Sequence, residues 1–357
     1  MRNSAILPGN LTLATTLESD LERVCQEANQ SQDRWIFRPA DADTLNGAAA
    51  STTTTTTATS TGLDNVDTSL LFGITRRKST NVDTASQEKC GQLCTFYLAY
   101  STWEGRVLFW DALISNGDNE SNKSTSMDGK HHDDTILWTR LLAKMANAMN
   151  CRRLVWRHRE ALPPSYGDEN GLITAETLHG WLTIYWDLPS LRAYAPCKTT
   201  QQNKSMNTLP TQRAFAMALE QSHHDRFRLR LATDADIDII DGLVMGLAIF
   251  EKEPESYILS KQQLRKDGFG SHPLYYCILV DDTTAATEPH TCAMAFCYLG
   301  HELSTGRFLY LEDLFFEEAY RGQGGGKLVM STLALVAQSL GCTKAVWQAL
   351  DWNTPAM

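Results

Sequence analysis

Apolar residues recur along this chain with two different periods, and the period changes mark out its elements. From Phe227 to Leu231 (FRLRL) they alternate with arginines, which predicts a strand with one buried face. Ile239 to Phe250 then carries apolar residues at helical spacing, with Thr233 placed as an N-cap and acids in the first turn. DGFGSHPLYYCILVDD reads as a turn and a second strand, and CAMAFCYLGHELSTGRFLYLEDLFF as two more, turned near Thr305–Gly306. A glycine-rich loop follows, then a helix from Leu328 to Leu340 and a strand from Lys344 to Leu350.

The first half carries a fainter version of the same succession. Leu17, Leu21 and Val24 lie on one side of a predicted helix, and DRWIFRPA (Asp33 to Ala40) reads as a strand. About Ala42 to Gln87, with its threonine run, offers little to pack and reads as a disordered insertion. CGQLCTFYLAYSTWEGRVLFWDALI predicts two aromatic-rich strands turned at Trp103–Gly105. Ser115 to Asp134 is polar, and its His131–Asp134 (HHDD) reads as solvated surface. A helix over Ile136–Met149, a strand over Arg153–Trp156 and an aromatic strand, GWLTIYWDL, complete this half; Lys198–Asp225, polar and then partly helical, links it to the next.

Two blocks repeat in the same order. GRVLFWDALI (Gly105–Ile114) parallels GRFLYLEDLF (Gly306–Phe315), and LWTRLLAKMANAMNCRRLVW (Leu137–Trp156) parallels LVMSTLALVAQSLGCTKAVW (Leu328–Trp347). The expectation is a duplicated chain, with residues 1–197 a degenerate copy, 198–225 a linker and 226–357 the better-kept copy.

Composition narrows the function classes. A formal charge of −10 argues against bulk binding to nucleic acid or anionic membrane and is compatible with a cationic ligand. From Arg226 onward 17 acids face 11 lysines and arginines. Nine cysteines without paired zinc spacing fit a reducing compartment, and no run reaches the roughly 20 apolar residues of a membrane span. The expectation is a cytoplasmic protein without a metal.

The chemistry concentrates in LYLEDLFFEEAYRGQGGGK (Leu309–Lys327). Glycines at 322, 324, 325 and 326 free backbone N–H groups to converge on an anion at a helix N-terminus, a phosphate-binding arrangement. The spacing is not that of a Walker loop. Glu312, at the end of a buried strand beside this loop, is placed to take a proton; Asp313 faces the other way if the strand is regular. His301 and His272, both predicted in turns, are lesser candidates as bases.

These residues resemble the GNAT superfamily of acyl-CoA-dependent N-acetyltransferases, and within it the diamine (spermidine/spermine) acetyltransferases. RLATDAD, FEKE, DGFGSHPLYYC, LYLEDLFF, RGQGGG and DWNTPA carry the resemblance over about Arg226–Met357. CTFYLAYSTWEGRVLFWDALI and HGWLTIYWDLPSLRAYA extend it to the first half as a diverged copy. The resemblance implies an α/β (α+β) architecture: tandem folds, each a mixed, mostly antiparallel sheet flanked by helices, the second lacking its last elements. It implies acetyl-CoA as co-substrate, with backbone groups of Leu314 and Phe316, around Phe315, pairing with the pantetheine arm. Arg321, Gly322, Gln323, Gly324, Gly325, Gly326 and Lys327 would hold the pyrophosphate, and Asn353 and Pro355 match cofactor-wall positions. Glu251 and Glu312 match positions that contact the amine, which agrees with the proton-removing role that the placement of Glu312 suggests. The family's general acid is a tyrosine shortly after WN-x-P, a position this chain does not reach before Met357. The implied reaction is direct attack of a di- or polyamine on acetyl-CoA in a ternary complex. Acetylation of an amino-acid side-chain amine (ornithine or thialysine-like) and non-catalytic acetyl-CoA binding are the alternatives. The resembled family works as homodimers, so the halves are expected as a pseudo-dimer, or the chain as a homodimer. The aromatic strand Gly180–Leu188 is expected to complete the second half's sheet.

Overall fold

The alternating strands of the second half build a sheet that borrows one strand from the first. The computed structural model describes residues 33–39, 72–78, 92–115, 132–156, 181–195, 210–270, 273–284 and 290–353. In chain order the elements are β1 (Asp33–Pro39), β2 (Phe72–Lys78), β3 (Gln92–Ser101), β4 (Gly105–Ser115), α1 (His132–Ala148), β5 (Arg153–Trp156), β6 (Trp181–Asp187), α2 (Leu188–Tyr194) and α3 (Pro210–Glu220). They continue with β7 (Phe227–Leu231), α4 (Ile237–Phe250), α5 (Lys261–Gly268), β8 (Tyr276–Asp282), β9 (His290–Glu302), β10 (Gly306–Phe316), α6 (Gly325–Ser339) and β11 (Lys344–Leu350).

One sheet has the order β1-β2-β3-β4-β5, the other β6-β11-β10-β9-β8-β7. In the first, neighbours are antiparallel except for the parallel β4–β5 pair. In the second, neighbours are antiparallel except for the parallel β10–β11 pair. The five strands β7 to β11 therefore repeat the order and sense of β1 to β5. The agreement extends to irregularities. In β4 the register steps from Ala112 to Trp110 against adjacent residues of β3, leaving Asp111 extra. In β10 it steps from Leu311 to Asp313 against adjacent residues of β9, leaving Glu312 extra. Each bulge bends the strand and re-aims its side chains, and each carries an acid.

As expected, β6 joins the other half: Trp181 to Asp187 pair antiparallel with Leu350 to Lys344 of β11. Helices α2, α3 and α6 cover one face of this sheet, with Leu191, Phe215, Val329 and Leu333 in a core with Ile278, Val280 and Leu309. The other face packs Ile240, Val244 and Leu247 of α4 and Leu264 of α5 together with Tyr97, Tyr100 and Val107 of the first half. Burial of each such large side chain contributes about 1.5–3 kcal/mol. The remaining face of the first sheet is covered by α1 through Trp138, Leu142 and Met145.

Three expectations change. The stretch about 42–87 contains β2, hydrogen-bonded to both β1 and β3, so it is not wholly a disordered insertion. FGITRRK mixes aromatic and β-branched residues that suit a strand, a signal masked by the threonine run upstream. His301 lies in β9, not in a turn, and is buried. Helix α6 begins at Gly325, ahead of Leu328. The early helix around Leu17–Val24, His272 and Pro355 fall outside the described residues.

Candidate active site

Strand β10 is paired with β9 along its length but with β11 only over Phe308–Leu311. From Glu312 to Phe316 no described strand pairs with its β11-side edge, which leaves a free edge whose backbone groups can take partners. Leu314 and Phe316, predicted to pair with a pantetheine arm, lie on this segment. The chain then turns through Gly322–Gly324 into α6. Gly324 has φ +88°, a conformation that favours glycine, and a Cβ on Gly325 would lie 2.5 Å from the Phe316 ring. Positions of a Cβ on Gly322 and Gly326 meet no heavy atom within 4 Å, so the loop faces open space. Leu328 N–H is bonded to the Gly324 carbonyl, and the amides before it precede the helical ladder, which is the arrangement that receives a pyrophosphate. The predicted cradle thus fits the group. Arg321 reaches back to the free edge: Nε donates to the Phe316 carbonyl at 2.9 Å, and the guanidinium lies 4.5 Å from the Phe250 ring centroid.

At the other end of the free edge sit the acids. Glu312 is the bulge residue, and the bulge breaks the alternation, so Asp313 is not turned away as a regular strand requires. It receives a hydrogen bond from Thr102 Oγ1 and interacts electrostatically with Glu251, which follows the last residue of α4. Burial, then the Asp313 charge, pushes Glu251 up to about 7. Burial raises Asp313 to about 6, against the Thr102 hydrogen bond. Burial and then Asp313 hold Glu312 well above the usual carboxylate range, with Arg153 opposing. Three carboxyl groups that each resist ionisation form a site that gains from a cation.

Part of this site comes from the first half. The hairpin turn between β3 and β4 brings Thr102, Trp103 and Glu104 to the acids: Thr102 is bonded to Asp313, and the Trp103 carbonyl accepts from Ile258 N–H at 3.0 Å. Arg153, at the start of β5, pairs with Glu104 at 2.8 Å. The reciprocal contact is closed differently: Asp111 accepts from Leu303 N–H at 2.8 Å and from Thr95 Oγ1 at 3.0 Å, so the second half's turn seals the first half's bulge acid. Sequence reasoning missed Thr102, Glu104 and Arg153, and set Asp313 below Glu312 by assuming a regular strand; the repeated GR-x-L blocks were the available signal.

The raised acids have a consequence for stability. Between the ordinary carboxylate value near 4 and about 7, the folded protein binds more protons here than the unfolded chain. Their contribution to stability therefore falls as pH rises through that window. The melting temperature of the ligand-free protein should drop between about pH 5 and pH 8, and a saturating dicationic amine should reduce the drop. A ligand-independent profile would contradict this electrostatic picture.

Asn353 follows β11, half-buried, its N–H bonded to the Leu350 carbonyl at 2.9 Å. His301 is away from the acids, paired in register with Arg307, and burial lowers its pKa. Among the described residues no group of three or more His, Cys, Asp or Glu is arranged to hold a metal ion. No described helix is long and apolar enough to cross a membrane.

The acetyltransferase (GNAT) family model matches residues 244–357. A thialysine N-epsilon-acetyltransferase of Bos taurus is 36% identical over 132 residues, 36% of this chain and 78% of that protein. A spermidine/spermine N(1)-acetyltransferase-like protein of Homo sapiens is 32% identical over 137 residues, 38% of this chain and 20% of its own. An L-ornithine N5-acetyltransferase of Arabidopsis thaliana is 24% identical over 171 residues, covering 36% of this chain and 75% of that protein.

Proposed function

The chain belongs to the GNAT acetyltransferase family, whose members use acetyl-CoA, and from that premise we propose that it acetylates a primary amine of a small di- or polyamine. The observation that carries the reading is the acid group of Glu251, Glu312 and Asp313 at one end of the free β10 edge, with the glycine cradle at the other. The Gly322–Lys327 amides and Arg321 hold the pyrophosphate, and backbone groups of Leu314 and Phe316 pair with the pantetheine arm, so the thioester is presented near Glu312. Glu251 and Asp313 bind ammonium groups of the substrate.

An amine with a pKa near 10 is protonated at neutral pH and cannot attack. Glu312, its carboxyl held above the usual carboxylate range by burial and Asp313 and favoured in its ionised form by the adjacent ammonium, removes the proton, directly or through one water. The freed nitrogen lone pair forms the N–C bond, the C–S bond breaks, and the departing thiolate takes up the second proton that the nitrogen gives up. The products are an acetamide and CoA.

The two similar sheets, with matching strand order and matching acidic bulges, support the further reading that the chain is a tandem of GNAT folds. In it the first half serves as a built-in partner rather than a second catalyst.

A second reading, acetylation of an amino-acid side-chain amine, is favoured by the Arg153–Glu104 ion pair. Side by side, a guanidinium and a carboxylate complement the carboxylate and ammonium of an α-amino acid. The test is turnover with acetyl-CoA of a diamine, a polyamine, ornithine and thialysine, by wild type and Arg153→Gln. The polyamine reading expects diamines or polyamines to have the highest kcat/KM and Arg153→Gln to change them less than threefold. Preference for an amino acid, with about a tenfold loss in Arg153→Gln, would favour the second reading. Binding of acetyl-CoA without turnover of any amine would reject both.

A further inference from the structure

The segment leading into β7 touches the glycine cradle at three successive points. His224 Nε2 lies 3.1 Å from the position a Cβ on Gly324 would take. Arg226 donates to the Gln323 side-chain oxygen while gripping Asp282 through Nη2 at 2.7 Å and Nε at 3.2 Å. Phe227 packs beneath Gly325, its ring 3.3 Å from that residue's Cβ position. Arg226 is thus committed to holding the loop, whereas the Nε2 of His224 has no hydrogen bond to a described residue.

The orientation and tautomer of His224 are set by its other nitrogen. Nδ1 accepts from the backbone N–H of Arg226 at 3.1 Å and of Phe227 at 3.2 Å. A ring nitrogen that accepts carries no proton, so the ring's proton sits on Nε2. The ring also packs against Phe227, with centroids 5.1 Å apart. The result is a side-chain N–H donor held in place at the N-cap of α6, beside an open cavity of about 320 Å³ that His223 and His224 border.

We propose that His224 is a phosphate-contacting residue of the acetyl-CoA site, donating through Nε2–H to a pyrophosphate oxygen held at Gly322–Lys327. The inference rests on the acetyl-CoA reading above. It assigns a cofactor contact to the connection between the halves, outside the loop that forms the cradle.

His224→Asn is the informative variant. Asparagine Oδ1 can accept the same N–H groups two and three residues on, as in an Asx turn, but its amide cannot reach where Nε2–H does. His224→Ala removes both functions. Titration calorimetry with CoA should show Kd raised about tenfold or more in both variants, the usual worth of a hydrogen bond to an anion. The melting temperature should fall only for His224→Ala. The same loss should appear with 3′-dephospho-CoA, and turnover of S-acetyl-pantetheine, which has no phosphate, should be no lower in His224→Asn than in wild type. Unchanged CoA affinity in His224→Asn overturns the inference, as does an equal loss with S-acetyl-pantetheine. Equal affinity of His224→Asn and wild type for 3′-dephospho-CoA would move the contact to the 3′-phosphate and reject the pyrophosphate assignment. Wild type that fails to bind CoA would reject the acetyl-CoA reading itself.

Discussion

Replacing Glu312 by Gln should lower kcat by about 10²–10⁴-fold, the usual contribution of a positioned general base, and leave the affinity for CoA within about twofold. The substitution keeps size and hydrogen bonding but removes the group that takes the proton from the attacking ammonium. CoA affinity is spared because the cradle lies at the far end of the free edge from Glu312. KM for the amine should rise as well, since the acids share its positive charge, and the rate should recover in part at high pH, where more substrate is already deprotonated. Asp313→Asn, which keeps the Thr102 contact, should act mainly on KM. Rapid-mixing kinetics with separate CoA titration checks the split. A Glu312→Gln enzyme within threefold of wild type in kcat would remove Glu312 from the chemistry.

Arg106→Ala should destabilise the protein by about 3–5 kcal/mol, the range for stripping one partner from a buried ion pair. Arg106 of β4 donates through Nε and Nη2 to Asp267 Oδ1 at 2.9 and 2.6 Å and through Nη1 to the Met149 carbonyl at 3.0 Å. Its side chain is 7% exposed and that of Asp267 0%. Removing the guanidinium strips the buried Asp267 carboxylate of its countercharge, while the Gln263 Nε2 donor at 2.8 Å stays. Because the pair joins the halves, the damage should reach the site: the turn carrying Thr102 and Glu104 begins β4 and loses its anchor. Urea unfolding should show the loss in midpoint, and an apolar pair, Arg106→Met with Asp267→Leu, should recover much of it. A change under 1 kcal/mol for Arg106→Ala would mean that the halves are not coupled through this pair.

Periodicity and turn chemistry made most of the strands legible, because alternation in FRLRL or in the aromatic hairpins is a local property of the chain. The β6 exchange was legible only through the family resemblance, in which the aromatic strand matches a last strand of the sheet. Two features escaped for a physical reason. The bulge at Glu312 arises from how β10 registers against β9, which no local pattern encodes, and it brings Asp313 into the site. The approach of Thr102, Glu104 and Arg153 depends on packing between segments separated by as many as 211 residues. β2 was missed because composition averaged over the threonine run outweighed a short strand signal.

The central claim, that an acidic site shared by the two halves passes an acetyl group to an amine, is tested most directly by a single-turnover reaction. Stoichiometric purified protein, [¹³C]acetyl-CoA and a diamine are mixed, and products are followed by NMR and mass spectrometry. The account predicts one equivalent of N-acetylated amine appearing with one equivalent of CoA, and loss of that product in Glu312→Gln. Release of [¹³C]acetate with no acetylated amine, or product formed equally well by Glu312→Gln, would contradict it.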